Sequence, residues 1–249
     1  MSNYRALDPA KIVATLEQLH LRIAERFPLA GLARVCAEAT ETARAASERV
    51  KTIGRPDLRL RALFYLLLAS GLAAIVTIAV KVNYTQGADN VYSVLQGVDS
   101  GFNMVVLFGA AILGVARYEE RSKRAMALKD LYQLRSLIHI IDMHQLTKDP
   151  SVITQTGPAT AASPEHRLSA FELTRYLDYC SEMLSLTAKV AALYAQSSGD
   201  SVVIGTVNDL EQLAANLSEK IWQKIGLVRF EAPVRALDAA APAVATRAS

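Results

Sequence analysis

The side chains whose types and spacing are best suited to chemistry lie within residues 135–149, RSLIHIIDMHQLTKD. Steps of four and three residues place Arg135, His139 and Asp142 along one stripe of a helix. A bound metal ion needs imidazole and carboxylate ligands at about 2.0–2.2 Å, and His139 and Asp142 offer one of each. His144 is five residues beyond His139 and lies about 140° away on an ideal helix. The segment therefore supports either a ligand or metal site that other helices complete, or a polar seam that fixes the register of a bundle.

No other motif in the sequence indicates catalysis. It has no glycine-rich phosphate loop followed by Lys and Ser or Thr, no nucleophile elbow, no HExxH and no paired CxxC. Cys36 and Cys180 fall at apolar positions of predicted helices, where buried free thiols in a reducing compartment are expected rather than a disulfide. We therefore expect a protein without catalytic residues, cofactor or enzymatic activity.

Two apolar stretches precede the polar segment and decide where it sits. Residues 62–80 run for about 19 residues without a charge, which nearly spans the hydrocarbon core of a bilayer. Residues 100–116 form a shorter second stretch, and the stretch contains Asn103. The pair predicts a transmembrane hairpin over residues 55–117, with spans at about 62–80 and 100–116 and an outer loop over 81–99.

The charges that flank the two stretches predict the orientation of the hairpin. Lys and Arg close to a span stay on the cytoplasmic side. The loop offers only Lys81, whereas the outer flanks carry Lys51, Arg55, Arg59, Arg61, Arg117, Arg121, Lys123, Arg124 and Lys129. Both termini are therefore expected in the cytoplasm, and the composition suggests a bacterial inner membrane.

Small residues on the second stretch predict a smooth helix face. Membrane helices associate through close backbone approach, and the relevant residues here are Gly97, Gly101, Asn103, Gly109 and Gly114. Three occupants of this face are considered. They are the first stretch at Ser70, Gly71 and Ala74, a second copy of the chain, and water in a pore lined by Asn103.

Residues 1–54 predict a cytoplasmic N-terminal helical hairpin. Asp8 followed by Pro9 is a helix start, and the apolar stripe that follows is Ile12, Leu16, Leu19, Ile23 and Phe27. After Pro28, a second helix alternates steps of four and three as a coiled-coil seam does. The seam residues are Leu32, Cys36, Ala39, Ala43, Ala46, Val50 and Ile53.

The chain after the second stretch predicts three further parts. Residues 118–149 lack a helix breaker and predict a cytoplasmic stalk helix with the apolar face Leu128, Leu131, Leu134, Ile138 and Ile141. Residues 150–163 have no periodicity and are expected to be a mobile linker. Ser163, Pro164 and Glu165 form a strong helix start, so 164–226 predict an antiparallel helical hairpin with broad apolar stripes. Residues 227–249 are expected to be a disordered tail.

These features predict an all-α fold, a two-transmembrane-helix hairpin with a cytoplasmic helical bundle built from N-terminal and C-terminal antiparallel helices. The first hypothesis for function is a multi-pass, non-enzymatic membrane module that oligomerises or docks a membrane or cytoplasmic protein. The net charge of +3 is explained by the clusters beside the membrane, so no nucleic-acid partner is expected.

Two alternatives remain open. One is an oligomeric pore, and the other is a membrane-bound metal-dependent enzyme centred on His139 and Asp142. In layout alone, two spans with long cytoplasmic helices, the chain is similar to two-transmembrane effectors of bacterial nucleotide-signalling systems. That resemblance implies perforation of a membrane.

Overall fold

The computed structural model describes residues 5–84, 91–148 and 168–245, with side chains except at 78, 79, 81–84, 91–97 and 230–245. The described residues form helices and short connections without a strand, which confirms the predicted all-α class. The helices are α1 (Pro9–Arg26), α2 (Leu32–Ile53), α3 (Leu58–Tyr84), α4 (Val91–Leu146), α5 (Ala170–Ser197) and α6 (Ser201–Ala245). The chain divides into two compact units, Met1–Lys51 with Ala127–Ser249 (the bundle unit) and Thr52–Met126 (the hairpin unit).

The helix starts in the bundle unit follow from local capping. Asp8 caps α1, because its side chain accepts a hydrogen bond from the Ala10 amide and Pro9 occupies the first helical position, as predicted. Asp200 caps α6 by accepting from the amides of Val202 and Val203, at 2.9 and 3.2 Å. The short connection between α5 and α6 makes these two helices an antiparallel pair that packs together.

The apolar stripes read from the sequence form the core of the bundle unit. The stripe of α1 with Phe27 at its C-cap is buried, as are the seam residues of α2 from Leu32 to Val50 and Leu131, Leu134, Ile138 and Ile141 of α4. The last seam residue of α2, Ile53, is also buried and belongs to the hairpin unit. The predicted stripes of α5 and α6 are buried as well: Leu173, Tyr176, Leu177, Tyr179, Cys180, Met183, Leu184, Leu186, Thr187, Val190, Ala191, Leu193, Tyr194, Val203, Val207, Leu210, Ala214, Leu217, Ile221 and Ile225. Leu128 is only partly buried.

Polar contacts give the directions of the helices within the bundle unit. The Leu7 amide donates to Gln196 at 2.8 Å, and Arg22 at the other end of α1 pairs with Glu182 at 2.5 Å, so α1 and α5 run antiparallel. His20 contacts the Ala33 carbonyl at 3.0 Å, and the Cys36 thiol lies 3.8 Å from the Leu16 carbonyl. The seam of α2 is therefore filled from within the chain.

The hairpin unit consists of α3 and the N-terminal part of α4, paired antiparallel. The Asp57 amide donates to Glu119 at 3.1 Å, and Gly71 further along α3 faces Phe108. Both helices run beyond the apolar stretches, to Tyr84 and from Val91, so the outer loop is shorter than the predicted 81–99. The end of an apolar run marks the edge of hydrocarbon, whereas a helix ends where backbone hydrogen bonding ends.

Two helix limits in the C-terminal part differ from the predictions. The prediction from Ser163 to Glu165 lies outside the described residues, as does the linker 150–163, and α5 begins at Ala170. Ser169 and Glu172 form a capping box there, which fixes the start. At the other end, α6 continues past Gly226 to Ala245 instead of giving way to a disordered tail from 227. Gly226 does not adopt the left-handed backbone with which a glycine ends a helix.

Candidate functional site

The predicted polar seam does not come together as one site. His139 is exposed and Arg135 and Asp142 are partly exposed. Asp142 accepts a hydrogen bond from Gln145 at 2.6 Å, and the Nε atom of Arg135 is buried without a hydrogen-bond partner among the described residues. Within the described part of the chain, no three His, Cys, Asp or Glu side chains converge as a metal site requires.

The geometry of α4 explains why the seam opens to solvent. The buried stripe of α4 includes Leu131, Leu134, Ile138 and Ile141. Each residue of the predicted polar seam comes one position after a buried residue of that stripe. One position on an α-helix is a rotation of about 100°, so Arg135, His139 and Asp142 lie toward the edge of the bundle. Their mutual spacing is therefore correct for one stripe, but that stripe is not the buried one.

A charged side chain that α4 does bury is Asp130, which the sequence analysis missed. Its side chain is 7% exposed, and its Oδ2 atom accepts from the Tyr194 hydroxyl at 2.8 Å and faces Arg49 Nε at 3.1 Å. Burial, followed by the hydrogen bond to Asp130, raises the pKa of Tyr194, so the phenol remains protonated and donates. Asp130 thus joins α2, α4 and α5. The spacing along the sequence could have indicated this burial. Asp130 stands four residues before Leu134 and seven before Leu137, so it shares their buried face of α4.

A cavity of about 230 Å³ opens beside this cluster, between α2 and α4. Its lining is Glu38, Glu41, Thr42, Ala45, Ala46, Arg49, Asp130, Gln133, Leu134 and Tyr194. Three of the ten lining residues carry carboxylates, and one of them, Glu41, pairs with Arg44. The only cation in the lining is Arg49, which faces Asp130.

A second polar cluster lies at the C-terminal end of α4. Gln145 is buried, donates to Asp142, and accepts from the Lys224 ammonium of α6 at 2.7 Å. His144 lies 3.4 Å from the Tyr176 hydroxyl, and burial, with the charges of Lys148 and Arg34, lowers its pKa. A Cβ atom at Gly31 would come within 2.9 Å of the His144 ring, so the turn before α2 needs glycine here.

The two thiols are buried and free, as predicted. Burial raises the pKa of Cys36 and of Cys180 to about 12 each. A thiol is a nucleophile only as the thiolate. Both cysteines therefore act as small apolar side chains at neutral pH.

The surface of the hairpin unit is apolar and uncovered. Among the described residues, two helices are long and apolar enough to cross a membrane by length and composition, within Leu32–Thr77 and Val98–Leu146. In the most apolar window of each, 6% and 0% of the residues are buried, whereas a core helix of a soluble protein would be mostly buried. The exposed large side chains include Leu63, Tyr65, Leu66, Leu68, Leu72, Ile75, Val76, Val98, Phe102, Val105, Val106, Leu107 and Leu113.

The glycines of α4 do not form the contact with α3. A Cβ atom added at Gly101, Gly109 or Gly114 would meet no atom within 4 Å, whereas one at Gly71 would lie 3.2 Å from the Phe108 ring. The hairpin therefore closes by seating a phenylalanine of α4 on a glycine of α3. The prediction that the α4 glycines pack against Ser70, Gly71 and Ala74 is wrong at these three positions. Gly97 lies in α4, but its surroundings are outside the described side chains.

Asn103 lies on the uncovered surface of α4. Its side chain is exposed, and its amide donates to Asp99 at 3.4 Å, a long hydrogen bond. The chain itself therefore leaves most of the hydrogen-bonding capacity of this residue unused within the described residues.

A polar clasp closes the end of the hairpin unit where α3 begins. We define it as Glu119 and Lys123 of α4 with residues 55–57. Glu119 accepts the Asp57 amide at 3.1 Å and the Lys123 ammonium at 2.8 Å, and Lys123 also donates to the Arg55 carbonyl at 2.7 Å. Lys123, followed by the Asp57 amide, lowers the pKa of Glu119, so the clasp is ionised at neutral pH.

Comparison with known proteins gives no match to a family model, to a curated protein or to a solved structure.

Proposed function

We propose that this chain is an integral membrane protein without enzymatic activity, in which the hairpin unit anchors the bundle unit and the molecule works by self-association or by docking a protein partner. The observation that carries the proposal is the uncovered apolar surface of α3 and α4. Each large apolar side chain left in water forgoes about 1.5–3 kcal/mol of burial free energy. Lipid supplies the missing cover.

The charge distribution supports one orientation of the hairpin in the bilayer. The clasp holds the start of α3 beside residues 119–123 of α4, so the basic flanks of both helices lie at the same end of the hairpin unit. Under the positive-inside rule this end faces the cytoplasm. Both termini are then cytoplasmic, and the composition is that of a bacterial inner-membrane protein.

Membrane extraction and cysteine labelling test this proposal together. Alkaline carbonate should leave the full chain in the membrane pellet, and release into the supernatant would contradict an integral protein. The natural thiols are buried and provide an unlabelled background. In spheroplasts, an impermeant maleimide should label Gln86→Cys in the outer loop, and it should label Ser201→Cys only after permeabilisation. The reverse pattern would contradict the orientation.

Action through protein contacts is supported by uncovered surface in both units. Among the described residues, a Cβ atom at Gly101 or Gly109 of α4 would have no neighbour within 4 Å. In the bundle unit, the exposed apolar side chains of α4 include Tyr132, Ile140, Met143 and Leu146. The high pKa of the two buried thiols agrees with a non-enzymatic role.

An oligomeric pore is a second candidate, and the exposure of Asn103 on α4 favours it. A polar side chain within a span usually faces a protein neighbour or water. Overexpression of a pore former should make cells leak potassium, and Asn103→Leu should abolish that leak without changing membrane insertion. A leak that Asn103→Leu leaves unchanged would contradict this candidate. The metal-enzyme alternative is not carried further, because the exposure of His139 gives it no support.

A further inference from the structure

The clasp end of the hairpin unit carries a ring of exposed arginines. Its members are Arg55, Arg59, Arg61, Arg117 and Arg121, which we call the arginine collar. The clasp brings residues 55–57 against 119–123, so the first turn of α3 and this part of α4 lie side by side. The collar is therefore one surface built from two segments far apart in sequence.

Two of the three acidic side chains at this end are engaged with other groups. Asp57 accepts the Arg59 backbone amide at 2.9 Å, and Glu119 holds Lys123 and the Asp57 amide. Among the described residues, no collar guanidinium forms an ion pair within 4 Å. Residues 55–61 and 117–124 contain seven cationic and three anionic side chains, a net charge of +4. The collar thus presents a net positive charge, and the charge of Arg61 contributes to the lowered pKa of Glu119.

The collar also lies at a defined height on the hairpin. The first apolar stretch begins at residue 62 and the second ends at 116, so the collar starts where the hydrocarbon ends. Lipid phosphates occupy this level. A guanidinium presents a planar fork of N–H donors that matches two phosphate oxygens.

We propose that the arginine collar binds the phosphate groups of anionic phospholipids, of the phosphatidylglycerol type, in the cytoplasmic leaflet. The opposite end of the hairpin contrasts with it, since residues 81–99 contain one lysine and two aspartates. Recognition is therefore confined to one leaflet. The inference rests on the proposed function, because lipid headgroups reach the collar only if the hairpin spans the bilayer.

Native mass spectrometry of the full chain released from detergent micelles tests the collar directly. The probes are short-chain phosphatidylglycerol and phosphatidylcholine at equal concentrations. Phosphatidylglycerol should bind several-fold more tightly than phosphatidylcholine. Inorganic phosphate at millimolar concentration should not displace it, because the acyl chains on the hairpin contribute to binding. Displacement by phosphate alone would overturn a lipid-specific collar.

A matched pair of variants separates the collar from general positive charge. Arg59→Gln with Arg117→Gln should weaken phosphatidylglycerol binding by about tenfold. Lys220→Gln with Arg229→Gln removes the same charge from the exposed face of α6 and should leave binding unchanged. All four side chains are exposed, so helix content by circular dichroism should stay constant in both variants.

Two outcomes would overturn the collar: equal binding of the two lipids, or unchanged phosphatidylglycerol binding in the Arg59/Arg117 variant. Either outcome would contradict lipid binding by the collar without contradicting membrane insertion. A chain that resists carbonate extraction but shows either outcome is a membrane protein without a lipid-binding collar. If carbonate releases the chain from the membrane, both the proposed function and the collar are contradicted.

Discussion

Single residues in this molecule have roles that their type alone does not reveal. Asp130 is one acidic residue among many in the sequence, yet it is buried and connects three helices through Tyr194 and Arg49. Arg135, His139 and Asp142 have better spacing for a site, and they lie at the edge of the bundle. Burial therefore decides which polar side chain holds the bundle unit together.

Replacing Tyr194 with phenylalanine should expose the importance of the Asp130 cluster. The change leaves a buried carboxylate without its hydroxyl donor, which costs about 1–3 kcal/mol. For a chain of this size, each kcal/mol lowers Tm by about 2–4 °C. Thermal unfolding of the full chain in detergent, followed by circular dichroism, measures the change. Tyr132→Phe is the control, because Tyr132 is exposed, and a similar loss in both variants would contradict the assignment.

His144 should make the bundle unit sensitive to mild acid. Its pKa is lowered in the folded chain by burial, Lys148 and Arg34, so the unfolded chain takes up the proton first as pH falls through about 6.5. Stability is therefore full above this pH and is lost as pH falls toward the lowered folded value.

Tm measured between pH 7.5 and 5.5 tests this titration. His144→Gln should flatten the pH dependence, whereas His139→Gln, at an exposed position, should leave it as in the wild type. An equally steep loss of Tm in the His144 variant would rule out this residue as the source.

At the scale of elements, the sequence predicted the buried face of a helix correctly where other helices of the same chain cover that face. The stripes of α1, α2, α5 and α6 could be read from spacing, because a 3.6-residue period places them on one side. The start of α5 at Ala170 was not predicted, because the sequence analysis passed over the serine and glutamate of the capping box at 169 and 172. The helix start predicted at 163–165 lies outside the described residues. The contact between Gly71 and Phe108 that closes the hairpin could not be predicted from the sequence. Which small residue meets the other helix depends on how each helix is rotated about its own axis.

The capping box yields a test that separates the two starts of α5. Ser169→Ala removes a side chain that accepts from the Glu172 amide and should cost about 0.5–2 kcal/mol. Ser163→Ala should have no comparable effect on Tm or on amide exchange in the first turn after Ala170. If Ser163→Ala is the more damaging change, the helix begins earlier than the capping box places it.

At the scale of the whole molecule, the uncovered face of α4 distinguishes contacts within the chain from contacts between copies. A larger side chain at Gly101 or Gly109 meets open space in one chain, whereas a larger side chain at Gly71 meets Phe108. A substitution at Gly71 therefore acts on the contact between α3 and α4, whereas one at Gly101 or Gly109 leaves that contact in place.

Gly101→Leu combined with Gly109→Leu should reduce the oligomeric mass in detergent or nanodiscs while Tm of the single chain changes little. Gly71→Leu is the matched control and should lower Tm, because overpacking typically costs about 1–3 kcal/mol. Mass measured by size exclusion with light scattering decides between them. A wild-type monomer, or an unchanged oligomer in the double variant, would argue against self-association through this face.

The bundle unit is assembled from two separated stretches of chain, which the ribosome therefore makes at different times. The segment before Thr52 leaves the ribosome first, but its partners α4, α5 and α6 follow only after residues 52–126 have been made. At about 5–20 residues per second, that interval lasts about 4–15 s. Throughout it, α1 is the only helix of the bundle unit available to the alanine-lined seam of α2. The part of the seam that α4 later covers therefore remains exposed until the chain beyond residue 126 has been made.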